Sequence, residues 1–155
     1  MVTMSCVRFN TPAQRQQMTD VTRGVQADEP IAQFLGPAIT ESKIARLRLM
    51  AASPNSKIRE TVAASYHAPE DLYEMLSHDP DPGVRQWLAR NEHVPCDILR
   101  RLASDEDETV RSFVAINYFV PADAMETLSA DESPRVRALA DWKAALAAET
   151  NALAS

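Results

Sequence analysis

Glycine is scarce in this chain, three in 155 residues, and cysteine scarcer still, with two. So few glycines leave a hairpin-rich all-β fold without its tight turns. The glycines stand alone at Gly24, Gly36 and Gly83, so neither a P-loop nor a dinucleotide fingerprint can be read. Cys6 and Cys96 are too few for a disulfide framework or a four-cysteine metal site. No basic-then-apolar leader opens the chain, and its longest apolar stretches, such as residues 49–52, fall far short of the ~20 residues of a membrane span. These absences predict a cytoplasmic protein in a reducing compartment. Acidic residues outnumber basic ones 22 to 16, a net charge of −6, so the chain as a whole should not bind nucleic acid non-specifically.

What the chain has in excess is proline, ten residues, and a period. Arg59, Arg85, Arg111 and Arg137 recur every 26 residues, each after a β-branched residue: Ile58, Val84, Val110, Val136. Cut at that interval, residues 53–78, 79–104 and 105–130 align, and 131–155 form a degenerate end. Asn55, Asp81, Asp107 and Ser133 share one column, all good N-caps. Pro82 and Pro134 follow at the first helical position, where the missing N–H costs nothing. Val84, Trp87, Leu88 and Asn91 then fall at i, i+3, i+4, i+7, the spacing of one inward helix face. Ile58, Thr61, Val62, Ser65 and Val110, Phe113, Val114, Asn117 are their equivalents.

A second helix starts at Pro69, Pro95 and Pro121, with Asp71, Asp97 or Asp123 near its positive end. Leu72 and Leu76, Ile98 and Leu102, Ala124 and Leu128 supply its core contacts. About two turns cannot hold alone, so stacking on the next repeat must stabilise them. The expected fold is an all-α α-solenoid of about four two-helix repeats, with helical caps. The expected organisation is a polar, partly ordered segment over 1–28 and a worn repeat or cap over 29–52. The latter has Ile31, Phe34, Leu35, Ile44, Leu47 and Met50 facing inward. Repeats then run over 53–155. At Lys143 the Asn column ends and no proline follows, so a capping helix should run on from about residue 134.

Residues 79–103, DPDPGVRQWLARNEHVPCDILRRLA, resemble the bacterial leucine-rich-repeat variant (LRV) family and are HEAT-like in their Asp…Val-Arg signature. The resemblance covers about residues 53–140 and implies a right-handed α-solenoid in which α-helices alternate with shorter, partly 3₁₀ helices. Some members carry an N-terminal cysteine cluster for an iron–sulfur centre; with Cys6 alone in that region, no cofactor is implied.

Several columns admit two readings. The arginines could clamp an anion, but a cation in the first turn opposes the helix dipole and calls for compensation. Asp79, Asp105 and Asp131 repeat in register with them, which favours a ladder of Arg–Asp pairs between repeats. Asn91 and Asn117 sit at helix ends, where an amide satisfies orphan backbone groups. His67 and His93 share a column, but stacked helices ~8–10 Å apart are too wide for two ligands of one zinc. The inter-helix loops carry Tyr66, His67, His93, Tyr118 and Phe119, which either pack on the next turn or face a partner. Trp142 falls in the column of Ala64, Arg90 and Ile116 and should point outward. Beside Leu146 and Leu153 it makes a second apolar stripe that offers a homodimer contact or a fold-back onto the N-terminal segment.

No Ser–His–Asp arrangement can be read out, so an enzyme is not expected. Residues 1–52 carry net +2 and residues 53–155 net −8. The expected function is a non-enzymatic protein-interaction module, an adaptor or inhibitor with a basic protein partner. Tyr66, His67, Arg90, His93, Tyr118, Phe119 and Trp142 are its candidate contacts. The alternatives are a HEAT-like nucleic-acid binder, for which Arg90, Arg100 and Arg101 form only one small patch, or an accessory subunit of an enzyme complex.

Overall fold

The computed structural model describes residues 39–153. The expectations for 1–28 and for Ile31, Phe34 and Leu35 lie outside the described residues, and so does the side chain of Leu153. Among the described residues eight α-helices follow one another: α1 (Glu41–Ala51), α2 (Ser56–Ala63), α3 (Glu70–Leu76), α4 (Pro82–Arg90), α5 (Cys96–Leu102), α6 (Glu108–Ile116), α7 (Ala122–Ser129) and α8 (Pro134–Leu153). The first helices of the repeats form one stack, α2 on α4 on α6 on α8. The second helices α3, α5 and α7 lie along its other side, and α1 holds the second-helix place of the worn first repeat, packed on α2 and α3.

Each first helix starts where its cap column says it must. The side chains of Asn55, Asp81 and Asp107 accept from the amides of Lys57, Gly83 and Thr109. Gly83 meets a further demand: a Cβ there would lie 2.7 Å from Glu60 Oε1, so its lack of a side chain lets α4 close on α2. The second helices are capped by Pro69, Pro95 and Pro121, whose carbonyls accept the first i→i−4 bonds from Tyr73, Leu99 and Met125. They are therefore α-helical, seven or eight residues long, and not partly 3₁₀ as the LRV resemblance implies. Their buried pairs explain this, because Leu72 with Leu76 and Ile98 with Leu102 share a face only at α spacing.

Val62, Ala63, Leu88, Ala89, Val114, Ala115, Val136 and Ala140 run through the stack at 0% exposure, closed from the other side by Leu76, Leu99, Leu102 and Leu128. Burial of each leucine or valine contributes about 1.5–3 kcal/mol, and no repeat can bury its own without a neighbour. In α1, Leu47 is buried and Met50 packs against the core as expected.

One inward assignment is corrected. Trp87 is 39% exposed, Thr61 is exposed and Phe113 half-buried. The neighbouring first helices fill the space beside Val84, Leu88 and Asn91, so the i+3 position turns to the rim of the buried face.

Candidate binding surfaces

The arginine column is structural in its geometry. Arg59 Nε lies 2.6 Å from Asp79 Oδ2, Arg85 Nε 2.8 Å from Asp105 Oδ2, and Arg111 Nε 2.7 Å from Asp131 Oδ2. The second carboxylate oxygen accepts from Nη2 in every case, so each rung is a bidentate fork across a repeat boundary. Nη1 donates backward to the carbonyl of Ser53, Asp79 or Asp105, six residues earlier. Each aspartate also accepts the amide two residues on, at Asp81, Asp107 and Ser133. Burial pushes the Asp79 and Asp131 carboxyls up, but the guanidinium and amide bonds outweigh it and hold both below the usual aspartate value. Among the described residues Arg137 makes no carboxylate fork and donates to the carbonyls of Asp131 and Glu132.

The asparagine column forms a second ladder. Asn91 Nδ2 donates to the carbonyls of Ala63 (2.8 Å) and Ser65 (3.0 Å), and Asn117 Nδ2 to those of Ala89 (2.7 Å) and Asn91 (3.3 Å). Their side-chain oxygens accept the amides of His93 and Phe119. Lys143, where the column ends, reaches back to the Asn117 carbonyl across the same 26 residues. Burial there pushes its ammonium down to about 8.

Exposed ion pairs that the sequence reading missed join the second helices: Arg48 to Asp71 at 3.1 Å and Arg100 to Asp123 at 2.6 Å, both 23 residues apart. Glu74 stands where the arginine between them would be, and instead holds Arg101 at 2.9 Å. Two open grooves lie over the aspartate ladder. One, about 300 Å³, is lined by Asp79, Asp105, Glu106 and Arg101 among others; the next, about 430 Å³, by Asp105, Glu106, Asp131 and Glu132.

The sequence-predicted contacts fall on the opposite edge and on the outward face of the first helices. Tyr66 stacks on His93 of the following repeat at 4.8 Å between centroids, and Tyr118 meets Phe119 edge-on at 4.9 Å. His67 is exposed and outside that stack. The rings pack on one another, and Tyr66 and Tyr118 remain 61% and 71% exposed. Arg90 lies with Cζ 4.6 Å from the Trp87 ring centroid and 5.1 Å from that of Phe113, a guanidinium stacked across two repeats. Ile116 and Trp142 continue the strip, and Trp142 is 57% exposed, outward as its column predicts.

Comparison with family models, curated proteins and solved structures finds no match. The functional reading therefore rests on these surfaces. The chain is an all-helical repeat with a 26-residue period. Among the described residues no helix is long and apolar enough to cross a membrane.

Proposed function

We propose that this chain is a non-enzymatic protein-interaction module, a short scaffold of LRV-like or HEAT-like helical repeats that binds a protein partner. The observation that carries this reading is the exposed strip Tyr66, Trp87, Ile116, Tyr118 and Trp142, joined by the half-buried Phe113, which runs along the repeats from α2 to α8. Aromatic side chains presented on a rigid stack are what binding hot spots are made from. The likeness of residues 79–103 to LRV repeats supports the scaffold and names no partner. The excess of acid in residues 53–155 sits on the second helices and over the ladder grooves, and a basic patch of the partner would seat there.

A photo-crosslinking residue placed at Ile116, on the strip, and separately at Glu126, exposed on α7, tests the assignment in the source cells. The expected outcome is one protein captured from position 116 and not from 126. Capture of nucleic acid, or equal yields at the two positions, overturns it.

A further inference from the structure

Four columns run along the first helices beside their buried stripe: Lys57, Gly83, Thr109, Arg135; Glu60, Gln86, Ser112, Ala138; Thr61, Trp87, Phe113, Leu139; and Ala64, Arg90, Ile116, Trp142. Lys57, Thr61, Trp87, Arg90, Ile116, Arg135, Ala138 and Trp142 are their exposed members, whereas Glu60 and Ser112 are buried and Phe113 and Leu139 pack against the core. Although the molecule is acidic, these columns hold one carboxylate. That carboxylate, Glu60, is buried and paired with Lys57 at 2.8 Å. Arg90 has no carboxylate partner among the described residues; its charge is met only by the two rings. Stacking leaves the edge of the guanidinium open, and that edge carries its five N–H donors in a fork that fits a carboxylate. Beside it a cavity of about 120 Å³ opens between α2 and α4, walled by Ala64, Tyr66 and Trp87, with Arg90 on its lining and the buried Asn91 beneath. Such a volume is too small for a cofactor, for which pockets of ~300–1,000 Å³ are usual, and suits a single apolar side chain.

We infer that this face docks an acidic, apolar segment of a partner protein. An aspartate or glutamate of the partner meets the Arg90 fork, and a neighbouring aliphatic or aromatic side chain enters the Tyr66–Trp87 cavity. The inference rests on the protein-interaction reading and names its chemistry. It assigns to this face the opposite charge from that expected of a partner on the acidic grooves. A nucleic-acid strand would also stack on Trp87 and Phe113. Its phosphates, though, would find only Arg90 and Arg135 uncommitted on this face and carboxylates on either side of it.

The probe is a random 16-residue peptide library displayed on phage and selected on the immobilised full chain at 150 mM salt. Enriched peptides should carry Asp or Glu next to Leu, Ile, Phe or Met. Trp87→Ala and Arg90→Glu should each raise the Kd of such a peptide at least tenfold. A peptide with its acid changed to Lys should regain affinity for Arg90→Glu. Arg90→Gln, which keeps the stem and loses the charge, guards against misfolding, with far-UV circular dichroism as the check. Basic peptides indifferent to Arg90 but lost with Glu106→Lys would overturn the inference while leaving the interaction module standing. A selection with no Arg90-dependent peptide, or a thymidine 20-mer that displaces the selected peptides, overturns it as well. So does a wild-type dimer dispersed by Trp142→Ala, which would give the face to a second copy.

Discussion

Replacing Arg111 by alanine is the sharpest test of the ladder. The side chain is 7% exposed and makes five polar contacts: two to Asp131 (2.7 and 3.1 Å), two to the carbonyls of Asp105 (2.7 Å) and Glu106 (3.3 Å), and one to Glu132 (3.4 Å). The Glu132 pair is solvent-facing, with that carboxylate 86–88% exposed like its counterpart Glu106, and counts for little. The Asp131 carboxylate is 5% exposed, and removing its partner strands it. Breaking a buried pair from one side costs about 3–5 kcal/mol. A single stranded group of ordinary cost would give about 1–3 kcal/mol; the bidentate fork and the lost donor to the Asp105 carbonyl push the expectation to the upper range. Against a total stability of about 5–15 kcal/mol, that is a large share. Arg137→Ala provides the control within the same molecule. It occupies the same column but holds only two carbonyls, so its loss should cost about 1 kcal/mol. Urea unfolding followed by far-UV circular dichroism measures both. Equal costs for the two variants would refute the account, as would additivity of Arg111→Ala and Asp131→Ala in a double-mutant cycle.

Acid should weaken the fold in a defined window. The Asp79 and Asp131 carboxyls are held below their unfolded value, so their stabilisation is full above about pH 4 and is lost as pH falls through the depressed folded values; urea midpoints between pH 2 and 6 trace it. Lys143 acts with the same sign in a higher window. Folded, it loses its proton near 8; unfolded, it holds it to about 10.5, so it contributes a rise in stability from pH 8 to 10 that Lys143→Met should flatten. Asn117→Ala strands the carbonyls of Ala89 and Asn91 and the Phe119 amide, and should lower stability by about 2–4 kcal/mol by the same unfolding assay. Ser112→Ala should be neutral or stabilising by up to about 1 kcal/mol, read as a higher melting temperature, because its buried hydroxyl has no partner.

Much of the scaffold is written in residues that repeat. The cap column, the proline stops and the arginine–aspartate register each specify a local event, and each occurs where its column stands. What the period cannot specify is which turn of a nine-residue helix ends at the rim. Val84, Trp87 and Leu88 satisfy the same i, i+3, i+4 spacing, and only the position of the neighbouring helices decides that Trp87 is left partly outside. The second-helix ion pairs were hidden for a related reason. Arg48 and Arg100 lie two periods apart, and Glu74 between them reverses the charge and takes a different partner, Arg101. The shape of the 120 Å³ cavity depends on a loop tyrosine from one repeat and a tryptophan from the next, a pairing that no column aligns.

Periodicity also separates the work of the two sets of residues. The columns that recur, the arginines and aspartates, Asn91 and Asn117, and Ala63, Ala89 and Ala115, are consumed in contacts between repeats: the forks, the amide ladder and the close helix approach. A residue so committed presents little to solvent. The columns at the rim and beyond it differ at every step, as Thr61, Trp87, Phe113 and Leu139 do at the rim, or Ala64, Arg90, Ile116 and Trp142 farther out. A purely solvated face would be filled by small or charged side chains, since exposed aromatic surface gains nothing in water. Bulky apolar residues held there by a rigid frame, with one arginine between two of the rings, gain only when covered, and on that ground the proposed recognition is assigned to the non-repeating face.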